Sequence, residues 1–163
     1  MGQILGIFKA IKRFIDVSLN ILVIALLALL LIIVTTQILA RYIFNHPLSW
    51  SEELARYIFI WIVFLGVAIA FRNNRHLRME LLSLIIPNVF RRIIGILVFW
   101  IINAFLVLLL IESKFIISIT FSQSSPTLNL PMGFIYLSFV VSIGFMLVEQ
   151  IYRIFDYLQK GRL

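Results

Sequence analysis

The stretch Ser49–Glu80, SWSEELARYIFIWIVFLGVAIAFRNNRHLRME, decides the fold. It opens on acidic residues, continues as a mostly apolar run, and ends in a cluster of positive charge. A helix rises 1.5 Å per residue, so about 20 apolar residues cross roughly 30 Å of hydrocarbon, and this stretch reads as a membrane span. Ser49 and Glu52 have the S-x-x-E spacing of a capping box, in which side chains satisfy backbone N–H groups that lack helical partners. Glu52 and Glu53 lie in the first turn, where a helix N-terminus favours negative charge. Arg56 follows four residues after Glu52 and three after Glu53, within pairing reach of either. Arg72, Arg75 and Arg78, with His76 among them, stand at the other end. That asymmetry places the Arg-rich end in the cytoplasm and the acidic end outside.

Composition agrees. Of the 163 residues 63% are hydrophobic and only 13% charged, with a mean hydropathy of +1.10. Soluble domains are about half apolar and about a quarter charged, so the chain is an integral membrane protein with no room for a separate soluble domain. A net charge of +7 would suggest nucleic acid in a soluble chain. Here the positive residues flank apolar spans, so membrane orientation and anionic headgroups account for them and no nucleic-acid partner is expected. There is no Cys, which excludes disulfides, thiolate metal sites and thiol redox chemistry.

The segment WSEELARY, the following span containing FLG, and R-N-N-R-H-L-R-M-E resemble the small membrane subunit, DctQ type, of tripartite ATP-independent periplasmic (TRAP) transporters. The resemblance is strongest over roughly Arg41 to Glu80, and the layout below extends it to the whole chain. It implies a large polytopic membrane partner that holds the substrate and Na+ sites. It also implies a periplasmic binding protein that delivers a carboxylate such as a C4-dicarboxylate or a sialic acid. No cofactor is expected on this chain itself.

Taken in order, residues 1–16 carry Ile4, Ile7, Phe8, Ile11, Phe14 and Ile15 at helical spacing, with Lys9, Lys12 and Arg13 on the remaining face. They read either as an amphipathic helix along the inner membrane surface or as the beginning of the first span. The apolar run Val17–Ala40 is too long for a signal-peptide core of about 7–15 residues, so it is an uncleaved span. Spans are expected at about 17–41, 50–71, 93–119 and 132–152, with an interfacial amphipathic helix at about 77–86 ended by Pro87-Asn88. Asp16 lies within reach of Lys12 and Arg13. Tyr42 and Trp50 suit the headgroup belt.

Of 14 Lys and Arg, 11 fall on one side of this layout against Arg41, Arg56 and Lys114 on the other. The bias puts both termini inside. The fold class is therefore all-α: a polytopic membrane protein of four transmembrane helices, N-in and C-in, with short interfacial helices. The location implied is a bacterial inner membrane.

Glu52, Glu53 and Arg56 form the leading candidate cluster. They read as helix capping with a surface charge pair, or as an outward polar surface for another subunit or a soluble partner. The TRAP resemblance would set the Trp50-Ser51-Glu52-Glu53 region near the large membrane subunit and the docking binding protein. Gly66 and Ala70 have small-xxx-small spacing that lets a second helix approach, as do Ser138 and Ser142. Asn103, near mid-span, reads as an amide that joins two helices. Glu112 is costly in lipid; Lys114, two residues on, faces another way, so Arg41, Arg56 or a partner protein would have to pair with it. Arg72, Arg75, Arg78, Arg91 and Arg92 are candidates for anionic phospholipid heads. His46 and His76 fall on opposite sides of the membrane and cannot share a haem or metal, so no metal site is expected.

Three functions fit a small four-span protein. An accessory transporter subunit is favoured, because no pair of Gly/Pro-broken spans, no inverted repeat and no mid-depth acid marks a moving substrate-binding part. A self-contained exporter or channel would want an acid within Val17–Ala40, which has none. A membrane anchor for an enzyme complex remains open if it is haem-free. An enzyme is the least supported class, since no nucleophile–base pair, metal cluster or phosphate loop is present.

Overall fold

The computed structural model of the chain describes residues 2–73 and 88–160, with side chains described over 10–73 and 93–154. Four helices account for nearly all of them: α1 Gly2–Tyr42, α2 Ser49–Asn73, α3 Asn88–Thr120 and α4 Gly133–Lys160. Each contains a segment long and apolar enough to cross a membrane, at Ala10–Tyr42, Ser49–Asn73, Ile93–Thr120 and Gly133–Ile154. The protein is thus an all-helical, multi-pass membrane protein. One unbroken helix covers both the basic N-terminal segment and the first span. The interfacial helix expected at 77–86 lies outside the described residues.

Helix ends follow local chemistry. Asn45, at φ 50°, adopts the left-handed conformation that Asn tolerates, and closes α1 with the His46 N–H donating to the Ala40 carbonyl at 3.0 Å. The capping box expected of Ser49 and Glu52 does not form. The helix already includes Ser49; the Leu48 carbonyl accepts from both the Ser51 N–H (3.2 Å) and the Ser51 hydroxyl (2.7 Å). Ser49 makes no capping bond among the described hydrogen bonds, and Glu52 points outward.

The helices are arranged in a row rather than a bundle. α1 packs on α2, α2 on α4, and α4 on α3. α1 and α3 stand at opposite ends: α3 has α4 as its neighbour, while α1 packs along α2 and reaches α4 through Lys12. The buried apolar residues are correspondingly few: Leu19, Ile33, Ile58, Leu65, Ala68, Leu106 and Ile143. In a membrane the exposed apolar remainder faces lipid or protein at no hydrophobic cost, and close packing is made by small and polar residues instead. Ser138 and Ser142, both buried, do this at the α2–α4 contact, where the Ser142 hydroxyl donates to the Phe64 carbonyl at 2.6 Å. Phe64 and Phe139 meet edge to face there, with ring centroids 5.4 Å apart. Leu65 of α2 is completely buried. On α3, Leu106, Ser113 and Thr120 are buried at seven-residue spacing, one stripe facing α4.

Gly66 and Ala70 take no part in this packing. A Cβ on Gly66 would meet nothing within 4 Å, and Ala70 is exposed. The apolar residues buried on α2 are instead Ile58, Leu65 and Ala68.

Candidate functional site

The end of the row that carries the α1–α2 and α3–α4 loops is organised by Glu53. Although it sits beside exposed Glu52, Glu53 is only 9% exposed. It turns toward the loop that follows α3, where its carboxylate accepts the backbone N–H groups of Thr127 (2.9 Å) and Leu128 (3.1 Å). The Tyr57 hydroxyl, one helical turn on, donates to the other oxygen. The loop is shaped to present those two amides. Ser125 N–H donates to Leu130 O at 2.9 Å, Leu130 N–H donates to Ser125 Oγ at 3.2 Å, and Met132 N–H reaches Gln123 O at 2.8 Å. Asn129, at φ 52°, supplies the left-handed residue that brings the chain back. A charged acceptor with three donors is strongly held. Glu53 is therefore a tie between α2 and the α3–α4 loop.

Glu52 and Arg56 form a looser pair, 3.8 Å apart with side chains 61% and 67% exposed. Beside them a cavity of about 480 Å³ opens, lined by Arg41, Glu52, Arg56, Tyr57, Pro126 and Thr127 among others. The guanidinium groups of Arg41 and Arg56 and the carboxylates of Glu52 and Glu53 all line it. Trp50 stands 44% exposed near the start of the same helix. The structure thus gathers Arg41, Glu52, Glu53 and Arg56 of the sequence candidates at one site, and separates the roles of the two acids.

The opposite end holds a network that charge counting had not resolved. The Lys12 amine lies 3.1 Å from Asp16 and 3.0 Å from Glu149. Asp16 in turn accepts Arg72 at 3.1 Å, and Glu149 accepts Arg153 at 3.3 Å. Arg72 also donates to Asn20 Oδ1 at 3.1 Å, and Arg153 donates to the Phe71 carbonyl at 3.0 Å. Lys12 and Arg153 lie over the rings of Tyr152 (4.5 Å) and Phe71 (5.0 Å). Three cations and two anions thereby join α1, α2 and α4. Arg72, expected among lipid headgroups, has protein partners in the structure. Its neighbours Arg75 and Arg78 lie outside the described residues, as do the side chains of Arg91 and Arg92. The i,i+4 pairs Lys12–Asp16 and Glu149–Arg153 were the signal available in the sequence.

At mid-span, the Asn103 amide donates to the Phe99 carbonyl of its own helix at 2.9 Å and bonds no second helix among the described residues. Glu112 is exposed and makes no ion pair among the described residues, so neither Arg41 nor Arg56 is its partner. The reason is the row: among the described helices α3 packs on α4 alone, and those arginines belong to α1 and α2. Among the described residues, no three His, Cys, Asp or Glu gather as a metal site.

Comparison with known proteins agrees with this layout. The chain is 29% identical over 161 residues to a "putative TRAP transporter small permease protein" of Haemophilus influenzae, covering 95% of this chain and 98% of the relative. It is 37% identical over 136 residues to the isethionate TRAP transporter permease protein DctMQ of Oleidesulfovibrio alaskensis, covering 78% of this chain but 21% of that longer protein. The sialic acid TRAP transporter small permease protein SiaQ of Vibrio cholerae is 35% identical over 80 residues, 49% of this chain and 46% of its own length. The sequence model described as "Tripartite ATP-independent periplasmic transporters, DctQ component" matches residues 30–160, which take in the end of the first span and the other three whole. The chain therefore belongs to the DctQ family, the small permease subunits of TRAP transporters.

Proposed function

We propose that this subunit supports a large permease subunit and a periplasmic binding protein in Na+-coupled import of an organic acid across a bacterial inner membrane, with both termini in the cytoplasm. The observation that carries this reading is the fused relative, in which a segment similar to this chain makes up about a fifth of one longer permease polypeptide. A large subunit in the same molecule there supports a separate large subunit here. The relatives' names carry isethionate and sialic acid, both organic acids, which supports that substrate class. The placing of most Lys and Arg at the termini end supports the orientation.

In this reading the chain is scaffold. Its four helices are unbroken, its polar residues are spent on ties between helices, and moving substrate sites in secondary transporters are built from interrupted helices. The Glu53-held loop and the cavity beside Arg41 and Arg56 give a fixed outer surface against which a soluble binding protein can dock. Trp50 and Glu52 belong to that surface. Arg75, Arg78, Arg91 and Arg92 bind anionic headgroups on the inner side.

The test is reconstitution. The chain, the large permease subunit and the binding protein encoded beside it are placed in liposomes, and uptake of an organic acid is followed with and without a Na+ gradient. Uptake that requires all three proteins and Na+ supports the reading. Transport by this chain alone overturns it.

A further inference from the structure

We propose that the face of α3 turned away from α4 is the surface that receives the large permease subunit, through a membrane helix of that subunit carrying a basic side chain opposite Glu112. This rests on the reading above that a large subunit is the partner.

Three observations converge on α3. It is an end helix of the row, covered by α4 on the Leu106, Ser113 and Thr120 stripe and by no other described helix. The opposite face holds a shallow apolar groove of about 590 Å³ that runs from Trp100 past Asn103, Ala104 and Leu108 to Glu112. Those residues recur at three- and four-residue spacing, the contact register of a second helix. Trp100 is 67% exposed on this groove, a large ring at the kind of position that anchors interfaces.

Charge selects the occupant. Glu112 lies eight residues before the end of α3, about 12 Å of helical rise inside the span. A carboxylate at that depth is unfavourable in lipid and faces protein or water in assembled membrane proteins. Lys114 points elsewhere, and the arginines of α1 and α2 lie beyond α4. A lipid chain has nothing to offer this group, and a second copy of the same face would bring two carboxylates together. A helix with Lys or Arg at matching depth satisfies it. On the other end helix, α1, the acid Asp16 is by contrast paired within the chain, with Lys12 and Arg72.

The absence of native cysteine makes the test direct. Single cysteines at Leu108 and Ile111 on the groove, and at Ile24 and Leu31 on exposed α1, are introduced into the chain co-expressed with its large subunit. Each is labelled with a photoreactive maleimide and irradiated in membranes. Cross-linking to the large subunit from Leu108 and Ile111, but not from Ile24 and Leu31, is expected. Glu112→Gln, nearly isosteric, should lower the recovered large subunit by roughly five- to thirty-fold, the value of one interhelical polar contact. Glu112→Asp should retain most of it. Cross-linking from α1 alone, or to a second copy of this chain, overturns the inference while leaving the partnership intact. So does full recovery with Glu112→Gln. If the wild-type chain retains no large subunit at all, the partnership itself fails, and this inference with it.

Discussion

The Glu53 carboxylate accepts the Thr127 N–H at 2.9 Å across 74 residues of sequence, and so fastens the start of α2 to the loop between α3 and α4. Leu128 and Tyr57 complete the set of donors. Removing the acceptor leaves two loop amides without their partner, and a hydrogen bond to a charged group contributes about 1.5–3 kcal/mol. Glu53→Ala should therefore cost about 3 kcal/mol, and Glu53→Gln, which keeps one acceptor oxygen, about 1–2 kcal/mol. Thermal unfolding in detergent measures the cost. Protease cleavage within residues 121–132 should rise in the same order, and equal cleavage in both variants and wild type would contradict the tie.

The loop end and the termini end of the molecule hold ion pairs of very different worth. Glu149 has a side chain only 6% exposed and sits between Lys12 and Arg153. Glu149→Gln leaves Arg153 without a carboxylate and Lys12 with Asp16 alone, and should cost about 3 kcal/mol, the low end for breaking a buried pair. Lys12→Met leaves the Arg153 contact in place and should cost less. Arg56→Gln removes a pair in which both side chains are mostly exposed, worth about 0–1 kcal/mol. The ranking, read from unfolding midpoints of the three variants, is the test. A larger loss at Arg56 than at Glu149 would reverse it.

Which of these features the sequence reveals depends on how far apart their parts lie. The four spans are legible because hydrocarbon thickness imposes a length that apolar runs such as Val17–Ala40 meet on their own. Lys12–Asp16 and Glu149–Arg153 are legible as i,i+4 neighbours. Arg72–Asp16 is not, because the two residues meet only when α1 and α2 pack, and a charge count treats Arg72 as one more orienting residue. Glu53 misleads for a related reason: its first-turn position suggests a cap, while its partners are backbone amides whose identity carries no side-chain signal. Small-xxx-small spacing is equally silent about which face is used, since Gly66–Ala70 and Ser138–Ser142 look alike and only the second pair lies in a contact.

That contrast separates folding from assembly. Ser142 is 1% exposed and donates to Phe64 O, so Ser142→Leu should prevent α2 and α4 from closing and lower the unfolding midpoint of the isolated chain. Gly66→Leu meets open space and replaces the weaker helix former, so it should leave that midpoint unchanged or raise it. If Gly66 and Ala70 face a partner helix in the assembled transporter, the same Gly66→Leu substitution will reduce recovery of the large subunit. A fall in the isolated chain's midpoint with Gly66→Leu would instead place Gly66 inside this chain's own packing.

The proposed orientation rests on charge and can be read by labelling. Arg41 and Arg56 are near the loop end of the row, whereas Lys12, Arg72 and Arg153 are at the termini end. Basic residues near span ends are retained on the cytoplasmic side, so His46 and Ser124 should lie outside. Single cysteines replacing His46 or Ser124, both exposed, should react in intact cells with a maleimide that does not cross the membrane. A cysteine added at the C-terminus should react only after the cells are opened. Because no native thiol competes, a reversed pattern would be unambiguous and would turn the protein over in the membrane. The surface beside Glu53 would then face the cytoplasm, where no periplasmic binding protein could reach it.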